Sequence, residues 1–505
     1  MSSLSTPSTS STSSTSGTPA PSTPPSSEPA RTAAEAAARA RAAAPALAAL
    51  PLPTRASLLR GLSGALGENS AHLAAVAEDE TRLGLDRLHS EIRRTQAQLE
   101  MFADVVEDGA FLDVMIDPPD PAAKPAPRPD IRRMLVPLGP VAVFSASNFP
   151  FAFSVLGGDT ASALAAGCPV VVKAHEGHPR LSDLTRELVA RAVPEDVLSV
   201  VHGRAEGRSL VTDPAIKAVG FTGSTAAGRA LFDLAGSRPD PIPFYGELGS
   251  LNPVVVTPAA CAARGADIAR EYVASVTLGQ GQFCTKPGLL FLPAGHGLDD
   301  VLRREIAAVT PAPLLGQWIA AAYRETLGDL ASHQAVSPLH LPGTPADPRR
   351  SAPALLTTSA EDIRAFPEEL LRECFGPASL VVTYDSPEDL LETLDVLPGS
   401  LTTTVHGQEG VEDGLVRRLT EAGNTGRLIW NGWPTGVAVT PAMHHGGPWP
   451  ATTAALHTSV GSRAVARWLR PVAYQNVPDA LLPEPLRGSN PWKVPQRKDR
   501  APVGG

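Results

Sequence analysis

The chain has no cysteines spaced as CxxC: its four, Cys168, Cys261, Cys284 and Cys374, stand singly in 505 residues. That argues against a zinc knuckle and a dithiol redox motif, and so few thiols cannot form a disulfide scaffold. They suit a reducing cytoplasm. No apolar run is long enough to span a bilayer, and MSSLSTPSTSSTSSTSGTP lacks the basic start and apolar centre of a secretory signal. A cytoplasmic protein with no membrane partner is expected. There is no long Lys/Arg run and no aromatic-plus-basic strip, and the net charge is -9, so nucleic acid is not an expected partner. What remains is ordinary globular composition, 43% hydrophobic and 19% charged, long enough for two or three domains with real cores.

Residues 1–30 are rich in Ser, Thr and Pro with little to bury, which predicts a disordered tail. Apolar residues three and four apart predict helices over 31–116, and the Pro-rich stretch beginning at 117 reads as a linker and arm reaching to 140. Strand and helix then alternate. VAVF (141–144), VVVK (170–173), VLSVV (197–201) and IKAVGFT (216–222) are strand runs with helical segments between them. That pattern implies an α/β fold with parallel sheets and a dinucleotide-binding type of domain over 141–250. The theme restarts with NPVVV, placing a second α/β domain over 251–458 and a C-terminal segment over 459–505.

One cysteine is placed oddly. GQGQFCTKPG (279–288) sets Cys284 among small polar residues between glycines, where a substrate could reach it. A nucleophilic thiol needs an oxyanion donor and a base for the next step. SASNFP (145–150) offers Asn148 after a strand, though Asn also suits a plain turn. VVVKAHEGHP (170–179) brings Lys173 to a strand end, with His175, Glu176 and His178 behind it. GFTGSTAAGRAL (220–231) is a glycine-rich strand-to-helix turn, not GxGxxG, that presents Gly223, Ser224 and a helix N-terminus to phosphate or simply packs tightly. PFYGELGSLNP (243–253) carries Glu247, whose desolvation would raise its pKa towards a base's range. RECFGPAS (372–379) sets Glu373 and Phe375 at a Gly-Pro turn. No metal-ligand spacing accompanies these residues.

Taken singly each stretch also fits an ordinary turn. In this order, from about 33 to 485, they resemble the aldehyde dehydrogenase superfamily. The resemblance implies two parallel-sheet α/β domains plus an oligomerisation arm, and a homodimer or homotetramer. It implies Cys284 as nucleophile, Asn148 as oxyanion-hole amide and Glu247 as general base. Lys173, Gly223, Ser224, Leu248, Glu373 and Phe375 fall where the family holds NAD or NADP. A narrower resemblance, to the α-ketoglutaric semialdehyde (2,5-dioxovalerate) dehydrogenase branch, rests on TQAQLEMFA (95–103), GRLIWNGWPTGVAVTPAMHHGGPWPATT (426–453) and SVGSRAVARWLRPVAYQNVPDALLP (459–483). NADP-dependent fatty-aldehyde dehydrogenases are near relatives of that branch. His175 and Arg204 or Arg208 would then face the 2′-phosphate of NADP, whereas Glu176 would repel it and favour NAD. Arg94 would anchor a substrate carboxylate, and Phe153 and Trp433 would line the tunnel. A thiol hydrolase using Cys284 and Glu247 without redox is the competing class, and the set of cofactor positions speaks against it.

Overall fold

The computed structural model describes residues 32–343, 345 and 347–498. The expected tail over 1–30 and the end of the chain from 499 lie outside the described residues. Four helices open the described chain: Ala33–Ala48, Leu52–Glu68, Ser70–Thr81 and Leu85–Asp108. A capping box between Thr32 and Glu35 starts the first, while the last ends at Gly109 with φ 69°, the left-handed conformation glycine adopts without strain. On the last helix Leu88, Ile92, Leu99, Phe102 and Val106 are buried at spacings of three, four and seven. The last three pack with Val141, Val143, Val170 and Val172 on one face of the first sheet, whereas Ala33, Ala36, Ala37 and Ala40 of the first pack with Ala142, Phe144 and Val171 on the other.

That sheet has five parallel strands, in the order Leu198–Val201, Val170–Lys173, Val141–Phe144, Ala218–Thr222, Phe244–Glu247. Val141–Phe144 is buried along its whole length, as a central strand between helical layers must be. The second sheet has seven strands, in the order Ser337–His340, Ala354–Ser359, Ala378–Tyr384, Leu289–Pro293, Val254–Val256, Ser400–His406, Thr425–Trp430. Every pairing in it is parallel except the first. The Pro-rich stretch lies between strands Val114–Asp117 and Ile131–Pro137 of a third, four-stranded sheet. Its other members, Leu469–Gln475 and Gln496–Lys498, come from the far end of the chain.

The late segment also returns to the first sheet. Leu248 N donates to Ala451 O and Thr453 N to Gly246 O, so 451–453 runs beside the strand that carries Glu247. Beyond it, Trp468 Nε1 donates to Ser162 Oγ, and Arg467 makes a buried 2.6 Å ion pair with Asp159. Among the described residues, no helix is long and apolar enough to cross a membrane.

Candidate active site

The carboxyl ends of the first sheet deliver one half of the site. Asn148 lies four residues past strand Val141–Phe144, Lys173 ends its strand, and Glu247 is the last residue of strand Phe244–Glu247. Open parallel sheets bind ligands at this edge. The other half is the loop between helix Pro258–Thr277 and strand Leu289–Pro293, which carries Cys284. Gly279, Gln280 and Gly281 all have positive φ there, turning the chain sharply before the cysteine. A Cβ at Gly281 would stand 2.2 Å from Gly376 O, so only glycine lets this loop meet the Glu373–Phe375 turn.

Several side chains fix the two halves together. Asn148 Nδ2 donates to Gln282 O at 2.9 Å, leaving its second N–H free beside the thiol loop. Asn252, itself at φ 49°, donates to the carbonyls of Cys284 and Lys286 at 2.8 and 3.0 Å. Lys286 is fully buried and donates to Cys374 O and Ala378 O, tying the thiol loop to the Glu373 turn. From helix Leu85–Asp108, Glu91 accepts from the backbone N–H groups of Phe151 and Ala152. One turn earlier, Arg87 Nη2 donates to Asn148 O at 2.7 Å while its guanidinium lies over Phe149 and Phe283.

Behind the sulfur lies His445. Its Nε2 is 3.6 Å from Cys284 Sγ and 2.9 Å from Glu247 Oε1, and the Ser459 hydroxyl donates to Glu247 Oε2 at 2.5 Å. A carboxylate only accepts, so the proton between His445 and Glu247 sits on Nε2. Burial alone pushes the Glu247 carboxyl up. The charge and hydrogen bond of His445, with the hydrogen bonds of Ser459 and Cys284, outweigh that and hold it below the ordinary range. The expected upward shift of Glu247 is therefore reversed, because three donors converge on it. Cys284 moves the other way: burial first, then the Glu247 charge, raise its thiol well above the usual value.

On the cofactor side, a Cβ at Gly249 would meet Glu373 Oε2 at 2.4 Å and Thr225 Oγ1 at 2.9 Å, so the cradle is open only because glycine forms it. Ser224 caps helix Thr225–Gly236, directly after Gly223. This is the donor-and-space pattern a dinucleotide phosphate fits. Glu176 Oε1 is 3.7 Å from Lys173 Nζ and 3.2 Å from Arg204 Nε, while Arg208 stands exposed one turn further on. Glu373 is pushed up by burial, and Phe375 packs against the second core.

Three of the residues expected to touch ligands are committed elsewhere. His175 does not offer a positive charge to a phosphate: burial lowers its pKa to about 3, and Nδ1 accepts from Gly177 N at 2.9 Å. Leu248 is only 2% exposed and packs onto Gly228 and Phe221, so its side chain is core. Trp433 does not line a tunnel. Its ring packs on Tyr272 and His406 and its N–H donates to Glu271, behind helix Pro258–Thr277. Phe153 does lie near the thiol side, edge-on to Phe149 and within 6.0 Å of the Arg94 guanidinium. Sequence reasoning missed His445, Ser459, Asn252, Lys286, Arg87 and Glu91. Only the last two carried a local signal, as charges four apart on a helix face that also carries Arg94.

Two α/β lobes, one with a dinucleotide-type cradle and the other presenting a thiol beside an amide and a carboxylate, fit a dinucleotide-dependent oxidoreductase. The Aldehyde dehydrogenase family model matches residues 12–449, and the chain belongs to that family. It is 46% identical over 463 residues to "Alpha-ketoglutaric semialdehyde dehydrogenase 2" of Azospirillum brasilense, covering 89% of this chain and 88% of the relative. It is 40% identical over 451 residues to "Alpha-ketoglutaric semialdehyde dehydrogenase" of Acinetobacter baylyi, covering 87% and 85%. Among solved structures it is similar to aldehyde dehydrogenase C of Pseudomonas syringae, solved with NAD+ and octanal. There the TM-score is 0.75 at 18% identity, covering 88% of this chain and 90% of that one. The chain is thus an NAD- or NADP-dependent aldehyde dehydrogenase.

Proposed function

We propose that the chain oxidises α-ketoglutaric semialdehyde to 2-oxoglutarate. The observation that carries this reading is Arg94. Its guanidinium lies over the faces of Phe149 and Phe153, with Nε and Nη2 buried and without a hydrogen-bond partner. It is within electrostatic reach of Cys284 and Glu247. Leaving two buried guanidinium nitrogens without hydrogen bonds is costly even with the Glu91 charge nearby, and a substrate carboxylate arriving there offsets the cost with charge-assisted hydrogen bonds. The two semialdehyde dehydrogenases named above support the same substrate.

In this mechanism the Cys284 thiol releases its proton to solvent as the sulfur adds to the aldehyde carbon, leaving Glu247 ionised. The free N–H of Asn148 meets the new oxyanion. Bound NAD or NADP supplies the hydride acceptor, after which Cys284 holds the acyl group as a thioester. Glu247 then takes a proton from water, which attacks the thioester and releases the carboxylate. A small cavity bordered by Thr222, Glu247, His445 and Ser459 gives water a place against that carboxylate. Lys173, Gly223, Ser224 and Glu373 would hold the dinucleotide. Glu176 biases the site to NAD, because its carboxylate repels a 2′-phosphate and occupies Arg204.

Subunit pairing belongs to the same proposal. Leu469–Gln475 is an exposed edge strand, and edge strand Thr425–Trp430 shows Leu428 and Trp430 to solvent, both features that suit a homo-oligomer. The substrate test is Arg94→Met assayed on α-ketoglutaric semialdehyde and on pentanal. Losing a desolvated carboxylate partner costs about 3 kcal/mol, so kcat/KM for the acid should fall about 10²-fold and for pentanal only a few-fold. An equal fall for both aldehydes would overturn the assignment.

A further inference from the structure

Cys284, His445 and Glu247 each offer a ligand atom, and the three atoms lie within 4.8 Å of one another. Sγ to Nε2 is 3.6 Å, and Nε2 to Oε1 is 2.9 Å. A tetrahedral Zn²⁺ with bonds of about 2.3 Å to sulfur and about 2.0–2.2 Å to nitrogen and oxygen separates its ligand atoms by about 3.4–3.6 Å. The thiol and imidazole already stand at that spacing. The imidazole and carboxylate need to part by roughly half an ångström, within the reach of a small rotation of either side chain.

The ligands are also held for the purpose by partners behind them. Ser459 donates to the second Glu247 oxygen, and the His445 backbone is pinned by the Thr458 hydroxyl. Such outer contacts aim metal ligands and raise affinity. The other three thiols are placed differently: Cys168, Cys261 and Cys374 are buried and their sulfurs point at carbonyls of Trp468, His296 and Tyr323. Among the described residues, this is the one group of three such side chains with converging ligand atoms.

We propose that the cluster is a reversible inhibitory site for Zn²⁺ or a similar thiophilic divalent cation, a reading that rests on Cys284 being the nucleophile. Binding releases the thiol proton and the imidazolium's Nε2 proton to solvent, leaving the remaining ring proton on Nδ1. The cation is then held by thiolate, neutral imidazole and carboxylate, with water in the fourth position and no change of oxidation state. Occupancy removes the nucleophile and the base together, so the metal should compete with aldehyde and not with the dinucleotide.

The test uses Co²⁺ as a spectroscopic stand-in, added alone to the chelator-treated full-length protein. One equivalent should produce a thiolate-to-cobalt charge-transfer band in the near ultraviolet, absent from Cys284→Ser. His445→Ala and His445→Gln should each bind about 10-fold or more weakly, by the usual loss on removing a ligand. Melting of each variant with and without NAD checks that it has folded, and the His445 variant that melts normally is the one scored. Zn²⁺ should inhibit the wild type, and EDTA should restore it. Equal cobalt affinity in a folded His445 variant, a band that persists in Cys284→Ser, or no band at all would overturn the site. Aldehyde oxidation lost in Cys284→Ser, with no cobalt band in the wild type, would leave the catalytic reading standing and remove only the metal site. A band in a protein that oxidises no aldehyde would remove the catalytic reading instead.

Discussion

Replacing Arg87 with methionine should damage catalysis without touching a reacting group. The guanidinium donates to the carbonyl of Asn148 at 2.7 Å and lies 5.4 and 5.0 Å from the ring centres of Phe149 and Phe283. Each ring neighbours a catalytic candidate, so this one side chain spans the oxyanion loop and the thiol loop. A hydrogen bond to a charged group contributes about 1.5–3 kcal/mol, and each cation–π contact about 0.5–1 kcal/mol. Burial of the guanidinium, which lowers its pKa, offsets part of this, leaving a net loss of about 2 kcal/mol. A displacement near 1 Å at the reacting atoms can cost about 10²-fold in rate. Steady-state assays of Arg87→Met should therefore show kcat reduced about 10- to 100-fold with the KM for dinucleotide nearly unchanged. Arg87→Lys should recover part of the loss, since it keeps the charge but not the planar fork. A methionine variant with kcat within twofold of wild type, or one whose loss appears in the dinucleotide KM, would refute the clamp.

Glu247→Gln should keep the acceptor facing His445 but lose the base, giving a burst of reduced dinucleotide followed by slow turnover; a steady rate equal to wild type would contradict its role. Glu176→Ser should raise the ratio of kcat/KM with NADP to that with NAD by about 10-fold, since one repulsive charge is removed and Arg204 is released; an unchanged ratio would place the discrimination elsewhere. Burial lowers the pKa of His175 to about 3 and that of His406 to about 4, from an ordinary 6.5. Below pH 6.5 the unfolded chain takes up protons that these folded imidazoles refuse, so stability is full above that pH and falls as pH drops. The slope is about 1.4 kcal/mol per pH unit for each histidine. Urea unfolding at pH 7 and 5.5 should differ by about 2–3 kcal/mol, and a flat profile over that interval would exclude the effect.

The residues found from the sequence are those held by short, contiguous signals. Asn148, Lys173 and Glu247 stand at or just past strand ends, which show as apolar runs stopped by polar residues, and Cys284 stands in a polar loop flanked by glycines. The parallel sheets were legible for the same reason, in the alternation of such runs with helical stretches. His445 gave no such sign. It sits in a loop of glycines and prolines with no periodicity, and it meets Glu247 across 198 residues of sequence. Trp433 misled because an aromatic near a glycine turn looks the same whether it faces a tunnel or packs behind a helix. For Glu247, burial was inferred correctly, but the direction of its pKa depends on donors that only tertiary structure supplies.

The four-stranded sheet sets a condition on how the protein can be made. Strand Ile131–Pro137 leaves the ribosome early, yet its neighbour Leu469–Gln475 lies more than three hundred residues downstream, as the pairing of Ile131 with Gln475 shows. Until that neighbour emerges, one side of the early strand has no backbone partner, an exposed edge on a growing chain. Residues 445 and 459, which complete the environment of Glu247, arrive in the same late stretch. A nascent chain halted after residue 250 but before them would hold most of the dinucleotide lobe with a carboxylate lacking its donors. Closure of the arm and completion of the donor set around Glu247 therefore fall together in time, once residues 445–475 have been made.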